Sequence, residues 1–203
     1  VTLSRLVVWR HGQTGHNASG RLQGHLDVDL NDIGREQARA AAPHVAKFEP
    51  DVFVVSDLQR AANTAATLTE LTGWVPRVDK RLRETDVGQW MGMSGEEVER
   101  DFPGALDTWR ADPTFAPPGG ESRVEVAARA AEVVADLDLE HDGTALLCAH
   151  GGLITGLVGR LLGLPVETWP QLGGLSNCHW TVLARRGDTG RWRLLNHNVG
   201  ATG

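Results

Sequence analysis

Leu6-Val7-Val8-Trp9 runs directly into Arg10-His11-Gly12-Gln13-Thr14, and the fold is read from that junction. An apolar run ending in an arginine, a histidine and a glycine describes a buried strand that delivers two basic groups at its carboxyl end. A histidine inside a strand is usually a packing residue. One at the carboxyl end of a parallel strand opens into the crevice where α/β proteins bind ligands. Two further apolar runs, Val52 to Val55 and Ala145 to Ala149, have the same form, each followed by a polar group and then a helical pattern. Between the first two strands, Asn31-Asp32-Ile33-Gly34-Arg35-Glu36-Gln37 opens a helix to about Ala46, with Asn31 or Asp32 as its N-cap, which makes the unit βαβ. Ser56 or Asp57 is placed to cap an alanine-rich helix reaching about Leu71, and Pro76 to Asp79 reads as a short strand. Helices follow from Arg123 to about Leu139 and from Gly151 to near Gly163, and residues 177–183 and 191–196 alternate as late strands. The expected class is α/β: a three-layer α/β/α arrangement with a mostly parallel sheet and an antiparallel edge strand. It forms one domain over 1–203 with a lid subdomain inserted at about 85–122, where Gly, Pro and Trp interrupt short helices.

The 203 residues are 41% hydrophobic and 23% charged, ordinary for a globular domain with a sizeable core. A formal net charge of -6 argues against a nucleic-acid or anionic-membrane partner, so any anionic ligand must meet a local positive pocket. No apolar segment is long enough to span a membrane, and no basic-then-apolar leader is visible. Cys148 and Cys178 are isolated, and Cys148 lies within an apolar run, which fits reduced core thiols in a cytoplasmic protein. The composition leaves a homodimer open.

Three strand ends deliver Arg10 with His11, Arg60, and His150. In a parallel sheet with right-handed crossovers all carboxyl ends lie on one side, so these groups converge. Arg60 falls in the first turn of its helix and His150 just before one, where free N–H groups and the helix dipole favour an anion. Two guanidinium forks and two imidazoles make a site for a dianion, most simply phosphate. Thr14 and Gly151 are placed with them as substrate-binding candidates. The loop Arg21-Leu22-Gln23-Gly24 reaches the same pocket, where Gln23 is suited to a substrate hydroxyl or carboxylate. His16, His25, His44, His141, His179 and His197 lack metal-ligand spacing, so neither a metal nor a cofactor is expected.

Arg10-His11-Gly12, Ser56-Asp57-Leu58-Gln59-Arg60-Ala61, Arg83-Glu84, Gly119-Gly120-Glu121-Ser122 and Ala149-His150-Gly151-Gly152 stand in the order and spacing of the histidine phosphatase superfamily. The chain resembles its phosphoglycerate-mutase-like branch from about residue 4 to 183. The resemblance implies that His11 is the nucleophile and forms a phosphohistidine. It further implies that Arg10, Arg60 and His150 bind the transferring phosphoryl group, that Asn17 contacts phosphate, and that Glu84 is the proton donor to the leaving oxygen. Physical chemistry accords with these roles. An imidazole attacks only through a neutral nitrogen, so the other ring nitrogen should donate to a backbone carbonyl of its loop. Arg10, Arg60 and a protonated His150 supply positive donors to a loose, metaphosphate-like transition state without metal. Trp90 and Met91 are near enough in sequence to give Glu84 a partly apolar setting that keeps its carboxyl protonated.

Mutases of this branch carry Glu-Arg-His-Tyr-Gly after their lid begins, whereas this chain reads Arg83-Glu84-Thr85-Asp86-Val87-Gly88-Gln89-Trp90, has no tyrosine and has no lysine after Lys80. A lid with so few cations should not retain a bisphosphate, so water is the expected acceptor. The lid and the segments 119–129 and 164–174 are similar to those of the glucosyl-3-phosphoglycerate phosphatases. That similarity implies a small phosphorylated sugar or glycerate as substrate, with Trp90, Trp109 and Phe115 offering flat apolar faces to it. The alternatives are a broad-specificity acid phosphatase, then a cofactor-dependent phosphoglycerate mutase, then a non-catalytic binder of a phosphorylated ligand.

Overall fold

The computed structural model describes residues 2–185, 187 and 190–201. Strand β1 (Leu3–Arg10) is followed by a short helix α1 (Gly15–Ser19), then by α2 (Asp32–Ala46), β2 (Val52–Val55), α3 (Gln59–Thr72) and β3 (Arg77–Val78). The segment 85–122 carries a 3₁₀ turn and two short helices, α4 (Gly95–Asp101) and α5 (Ala105–Ala111). Helix α6 (Arg123–Glu140), β4 (Gly143–Ala149), α7 (Gly151–Leu161), β5 (Trp180–Arg185) and β6 (Trp192–Val199) complete the chain.

All the strands join one sheet in the order β3-β2-β4-β1-β5-β6. The first four in sequence run parallel, β5 runs against β1, and β6 runs against β5, so the antiparallel end of the sheet is a hairpin rather than a single strand. Along β1, Leu6 and Val8 enter the core shared with α6 and α7, while Val7 and Trp9 enter the core shared with α2 and α3. Both faces of the strand are covered, which is why its sequence is an unbroken apolar run instead of an alternation. Arg10 pairs with Ala149, and Val55 with Cys148. The ends of β1, β4 and β2 are thereby neighbours, and the residues that follow them open on one side of the sheet.

The loop after β1 is held by close backbone packing. A Cβ on Gly12 would lie 2.4 Å from the Gly34 carbonyl oxygen, and one on Gly34 would lie 2.0 Å from that of Gln13, so both positions exclude a side chain. Asn31 caps α2, its side chain accepting from the Gly34 N–H at 2.8 Å. Neither Ser56 nor Asp57 caps α3, contrary to the sequence expectation. The helix opens after Leu58 without a side-chain cap of its own, and Asp27 accepts the Gln59 N–H at 2.7 Å. Ser56 instead meets His150, and Asp57 pairs with Arg83 at 2.6 Å. A distant carboxylate has taken the local capping role and freed those two side chains.

The 85–122 segment has its own small core, in which Val87, Trp90, Val98 and Leu106 are buried against Leu22, Phe102, Trp109 and Phe115. It is tied to the loop after β1: the Leu22 N–H donates to Met93 O and the Gly92 N–H to Leu22 O. Among the described residues no helix is long and apolar enough to cross a membrane.

Candidate active site

His11 follows the last residue of β1 and is 2% exposed. Its Nδ1 lies 2.6 Å from the Gly12 carbonyl oxygen. A carbonyl only accepts, so the proton sits on Nδ1 and the lone pair is on Nε2. Burial, and then the guanidinium groups of Arg60 and Arg10, push the His11 pKa well below its usual value, against the smaller opposing pull of Gly12. The ring is therefore neutral near pH 7 and available as a nucleophile.

His150 is fully buried at the end of β4, its ring centroid 5.1 Å from that of His11. Arg60 Nε donates to its Nδ1 at 3.2 Å, so the ring proton is on Nε2, which donates to Ser56 Oγ at 2.9 Å. Burial, followed by Arg60, His11 and Arg10, holds its pKa well below the usual value. This corrects the expectation of a protonated His150: two guanidinium groups and a buried ring disfavour a third positive charge. In this arrangement the neutral ring orients Arg60.

Arg60 is fully buried. Its Nη1 and Nη2 donate to the carbonyls of Leu26 and Gly24 at 2.7 and 2.8 Å. Burial lowers its pKa to about 10, with Glu84 and Asp27 opposing, so it remains a cation at neutral pH. Arg10 donates through Nη1 to the Leu175 carbonyl, and its buried Nε has no hydrogen-bond partner. A buried donor without an acceptor is costly unless a ligand answers it. Gly151 makes room there, because a Cβ would lie 3.2 Å from Arg10 Nε.

Glu84 spans from the start of the lid segment to the start of α7. Its carboxylate accepts the N–H groups of Gly152 and Leu153 at 3.0 Å each, and that of Thr85 at 2.8 Å. A Cβ on Gly152 would sit 2.7 Å from Glu84 Oε1, which explains the second glycine after His150. Helix α7 has no side-chain cap of its own, so Glu84 satisfies its first turn and faces the positive end of its dipole. Trp90 and Met91 do not provide the expected setting, since Trp90 is buried in the lid core and Met91 is 39% exposed.

A cavity of about 460 Å³ joins these groups, lined by Arg10, His11, Arg60, Glu84, Gly151 and, on the loop side, Asn17 and Gln23. Asn17 Oδ1 accepts from the Thr14 N–H and from Asn177 Nδ2, which anchors the amide at the cavity wall. Asn177 also donates to the His11 carbonyl at 3.1 Å, a role no local pattern announced.

Two sequence-predicted substrate contacts are corrected. Thr14 is fully buried and outside the cavity lining, spent on the capping box of α1 and on a 2.8 Å bond to Gln23 Oε1. Trp90 is 0% exposed and packs against Phe102, Trp109 and Phe115. Its size makes it the centre of the lid core, and Trp109 takes the cavity wall in its place.

The lid itself brings one arginine, Arg110, to the cavity, but neighbouring elements add two more. Arg21, Arg110 and Arg123 line the same cavity, with the Arg123 guanidinium stacked 4.8 Å from the Trp109 ring centroid. Burial lowers the Arg123 pKa, and Glu84 pulls it back up. Arg21 is legible as part of the loop expected at the pocket, and Arg123 lies in the first turn of a helix that opens with the capping box Ser122 and Glu125, whereas Arg110 left no signal in the sequence. Among the described residues no group of three or more His, Cys, Asp or Glu side chains is arranged to hold a metal ion.

Residues 6–198 match the family model described as the histidine phosphatase superfamily, branch 1. Glucosyl-3-phosphoglycerate phosphatase of Mycobacterium tuberculosis is 48% identical over 212 aligned positions, covering 97% of this chain and 95% of that protein. The protein of the same name from Mycolicibacterium vanbaalenii is 48% identical over 218 aligned positions, covering 99% and 97%. A solved structure of mycobacterial glucosyl-3-phosphoglycerate phosphatase in complex with VO3 superposes with a TM-score of 0.91 at 50% identity, covering 97% of this chain and 100% of that one.

Proposed function

This chain belongs to the histidine phosphatase superfamily, and from that membership we propose that it hydrolyses the phosphomonoester of glucosyl-3-phosphoglycerate or a closely similar sugar-glycerate phosphate. That it is a phosphomonoester phosphatase follows from the family and from phosphatase relatives 48% identical over nearly its whole length. The substrate reading rests on one observation: a single cavity holds the phosphoryl-binding cluster at the sheet ends and an outer wall of Arg110, Arg123 and Trp109. The cluster suits the phosphate, the outer guanidinium groups suit a glycerate carboxylate, and the indole suits the apolar face of a sugar.

In the first half-reaction, His11 Nε2 attacks phosphorus and the P–O ester bond breaks as Glu84 gives a proton to the leaving oxygen. Arg10, Arg60 and Asn17 hold the equatorial oxygens during transfer. In the second half, water attacks phosphorus, the N–P bond breaks, and Glu84 takes the proton from the water. The net reaction is addition of water across the ester. Both cysteines are free and buried, which supports placing this small-metabolite phosphatase in the cytoplasm.

The test is release of inorganic phosphate from a panel of sugar phosphates, phosphoglycerates and glucosylglycerate phosphate. The reading requires kcat/KM to be highest for the glucosylated glycerate, and a flat profile would favour the broad-specificity alternative. Excess chelator should leave turnover intact, since guanidinium groups supply the charge; a loss restored by added metal would overturn that part.

A further inference from the structure

Arg129 lies in the second turn of α6, outside the cavity lining, with its side chain 19% exposed. A guanidinium offers five N–H donors in a rigid plane, and here every one is matched. Nε and Nη2 form a bidentate pair with Glu121 at 2.9 Å each, and Nη2 also donates to the Glu84 carbonyl at 2.9 Å. Nη1 donates to the carbonyls of Arg81 at 2.6 Å and Arg83 at 2.7 Å. Glu121 carries the clamp onward, accepting the Asp86 N–H at 3.0 Å while its own N–H donates to the Asp86 carbonyl at 2.8 Å. His25 Nε2 adds a second donor to the Glu84 carbonyl at 2.8 Å. One ion pair thus holds the backbone on both sides of Glu84. The packing leaves little slack, for a Cβ on Gly120 would lie 2.4 Å from the Asp86 carbonyl oxygen.

We propose that Arg129, locked by Glu121, is a positioning residue that sets where the Glu84 carboxyl stands relative to the leaving oxygen. It does so through the Glu84 backbone and touches no substrate. The inference rests on reading Glu84 as the leaving-group acid. Lysine cannot replace it, because three donors on one nitrogen cannot span a carboxylate and three carbonyls in a plane. Bare structural support for the lid is the competing role, and it would weaken turnover of all esters alike. A positioning role falls on the esters that need an acid: alkyl phosphates depart as poor alkoxides, whereas nitrophenolate departs unaided.

The experiment measures kcat/KM for nitrophenyl phosphate and for alkyl phosphates of graded leaving-group pKa. It compares the unaltered protein with Glu84→Gln, Arg129→Gln, Arg129→Lys, Glu121→Gln and the double variant Glu84→Gln/Arg129→Gln. Since misplacing a catalytic group by 1 Å can cost about 10²-fold, both Arg129 variants should lose about 10–100-fold on alkyl esters. Nitrophenyl phosphate should stay within about threefold, because it gains little from an acid. The double variant should lose no more on alkyl esters than Glu84→Gln alone. Equal losses on alkyl and aryl esters, or losses that multiply in the double variant, overturn the proposal. Glu84→Gln separates the two ways of failing: if it is itself unselective, the reading of Glu84 falls and the proposal with it, whereas a selective Glu84→Gln beside an unselective Arg129→Gln removes the proposal alone. Should Arg129→Gln not fold, Glu121→Gln keeps the guanidinium and the side-chain shape and carries the same comparison.

Discussion

The two walls of the cavity are built differently. At the sheet ends His11 and Arg60 are 2% and 0% exposed, with the fully buried His150 behind them; the Gly12 carbonyl of the same loop fixes the His11 ring, and the Leu26 carbonyl and His150 fix the Arg60 guanidinium. On the outer wall the Arg110 side chain is 63% exposed and meets Asp107 only at 3.4 Å, and the Arg21 side chain is 40% exposed in its pair with Glu97. The first wall is preorganised, so its groups need little rearrangement when charge develops on phosphorus. The second is more exposed and suited to holding the variable part of a substrate. On the proposed function, the sheet-end wall carries the phosphoryl transfer and the outer wall the selection of substrate.

The largest effect should come from the sheet side. Among the described residues His11 is the one histidine in the cavity lining, so His11→Ala removes the candidate nucleophile, whose loss costs about 10⁴–10⁶-fold in turnover. The loss should be the same for alkyl and aryl esters, because no leaving group compensates for a missing N–P bond. Rapid-quench trapping of acid-labile, base-stable phosphate on the unaltered protein and not on the variant checks it. Phosphate trapped on another residue would show that the sheet-end wall does not hold the nucleophile.

The contrast between the walls also explains which features were legible in the sequence. The strands stood out because Leu6 to Trp9, Val52 to Val55 and Ala145 to Ala149 are buried on both faces, and Arg10, His11 and His150 follow them directly. Parallel pairing then brings the strand ends together by a rule that needs no side-chain detail. The lid obeys no such rule. Trp90 and Trp109 are both aromatic residues in a Gly- and Pro-broken stretch, and only the packing of α4 and α5 decides which one becomes core and which one wall. Long-range caps were equally hidden: Asp27 serves α3, and Glu84 serves α7 across 69 residues to Leu153. A sequence window sees a nearby Ser56 or Asp57 and assigns the cap to it.

The lid's integrity is the next test of the comparison. Trp90→Ala empties the centre of a small core, and truncating a buried tryptophan typically costs about 3–5 kcal/mol. The cost should appear in urea unfolding as a transition of the lid that precedes that of the sheet, since the lid's apolar cluster is separate from the two sheet cores. A single unaltered transition would mean that the lid is not an independent packing unit.

Selection by the outer wall should be smaller in size and confined to KM. Arg123→Ala removes one guanidinium from the wall, and a hydrogen bond to a charged group is worth about 1.5–3 kcal/mol, so KM for a substrate with a glycerate carboxylate should rise about 10–100-fold. Nitrophenyl phosphate, which has no carboxylate, should keep its KM. Equal shifts for both would assign Arg123 to the phosphoryl cluster and blur the division between the walls.

The smallest effect is a pH dependence of stability that belongs to the sheet-end wall. His11 and His150 are both held well below the ordinary histidine value, chiefly by burial and then by Arg60. The unfolded chain binds protons at these positions around pH 6.5, and the folded one does so only at much lower pH. Their contribution is therefore complete above about pH 6.5 and is lost progressively as pH falls below that value toward the folded pKa. Each histidine can contribute a slope of at most about 1.4 kcal/mol per pH unit. The depressed carboxylates Asp29, Asp57, Asp79 and Glu121 have the same sign but act near and below the ordinary carboxylate range. Urea unfolding between pH 7.5 and pH 5.5 therefore isolates the histidines. Stability should fall across this window in the unaltered protein, and about half as steeply in His11→Ala, which retains only His150 of the pair. A slope unchanged by that substitution would show that the two rings do not share one cationic pocket, and it would remove the electrostatic reason for regarding the sheet-end wall as preorganised around neutral imidazoles.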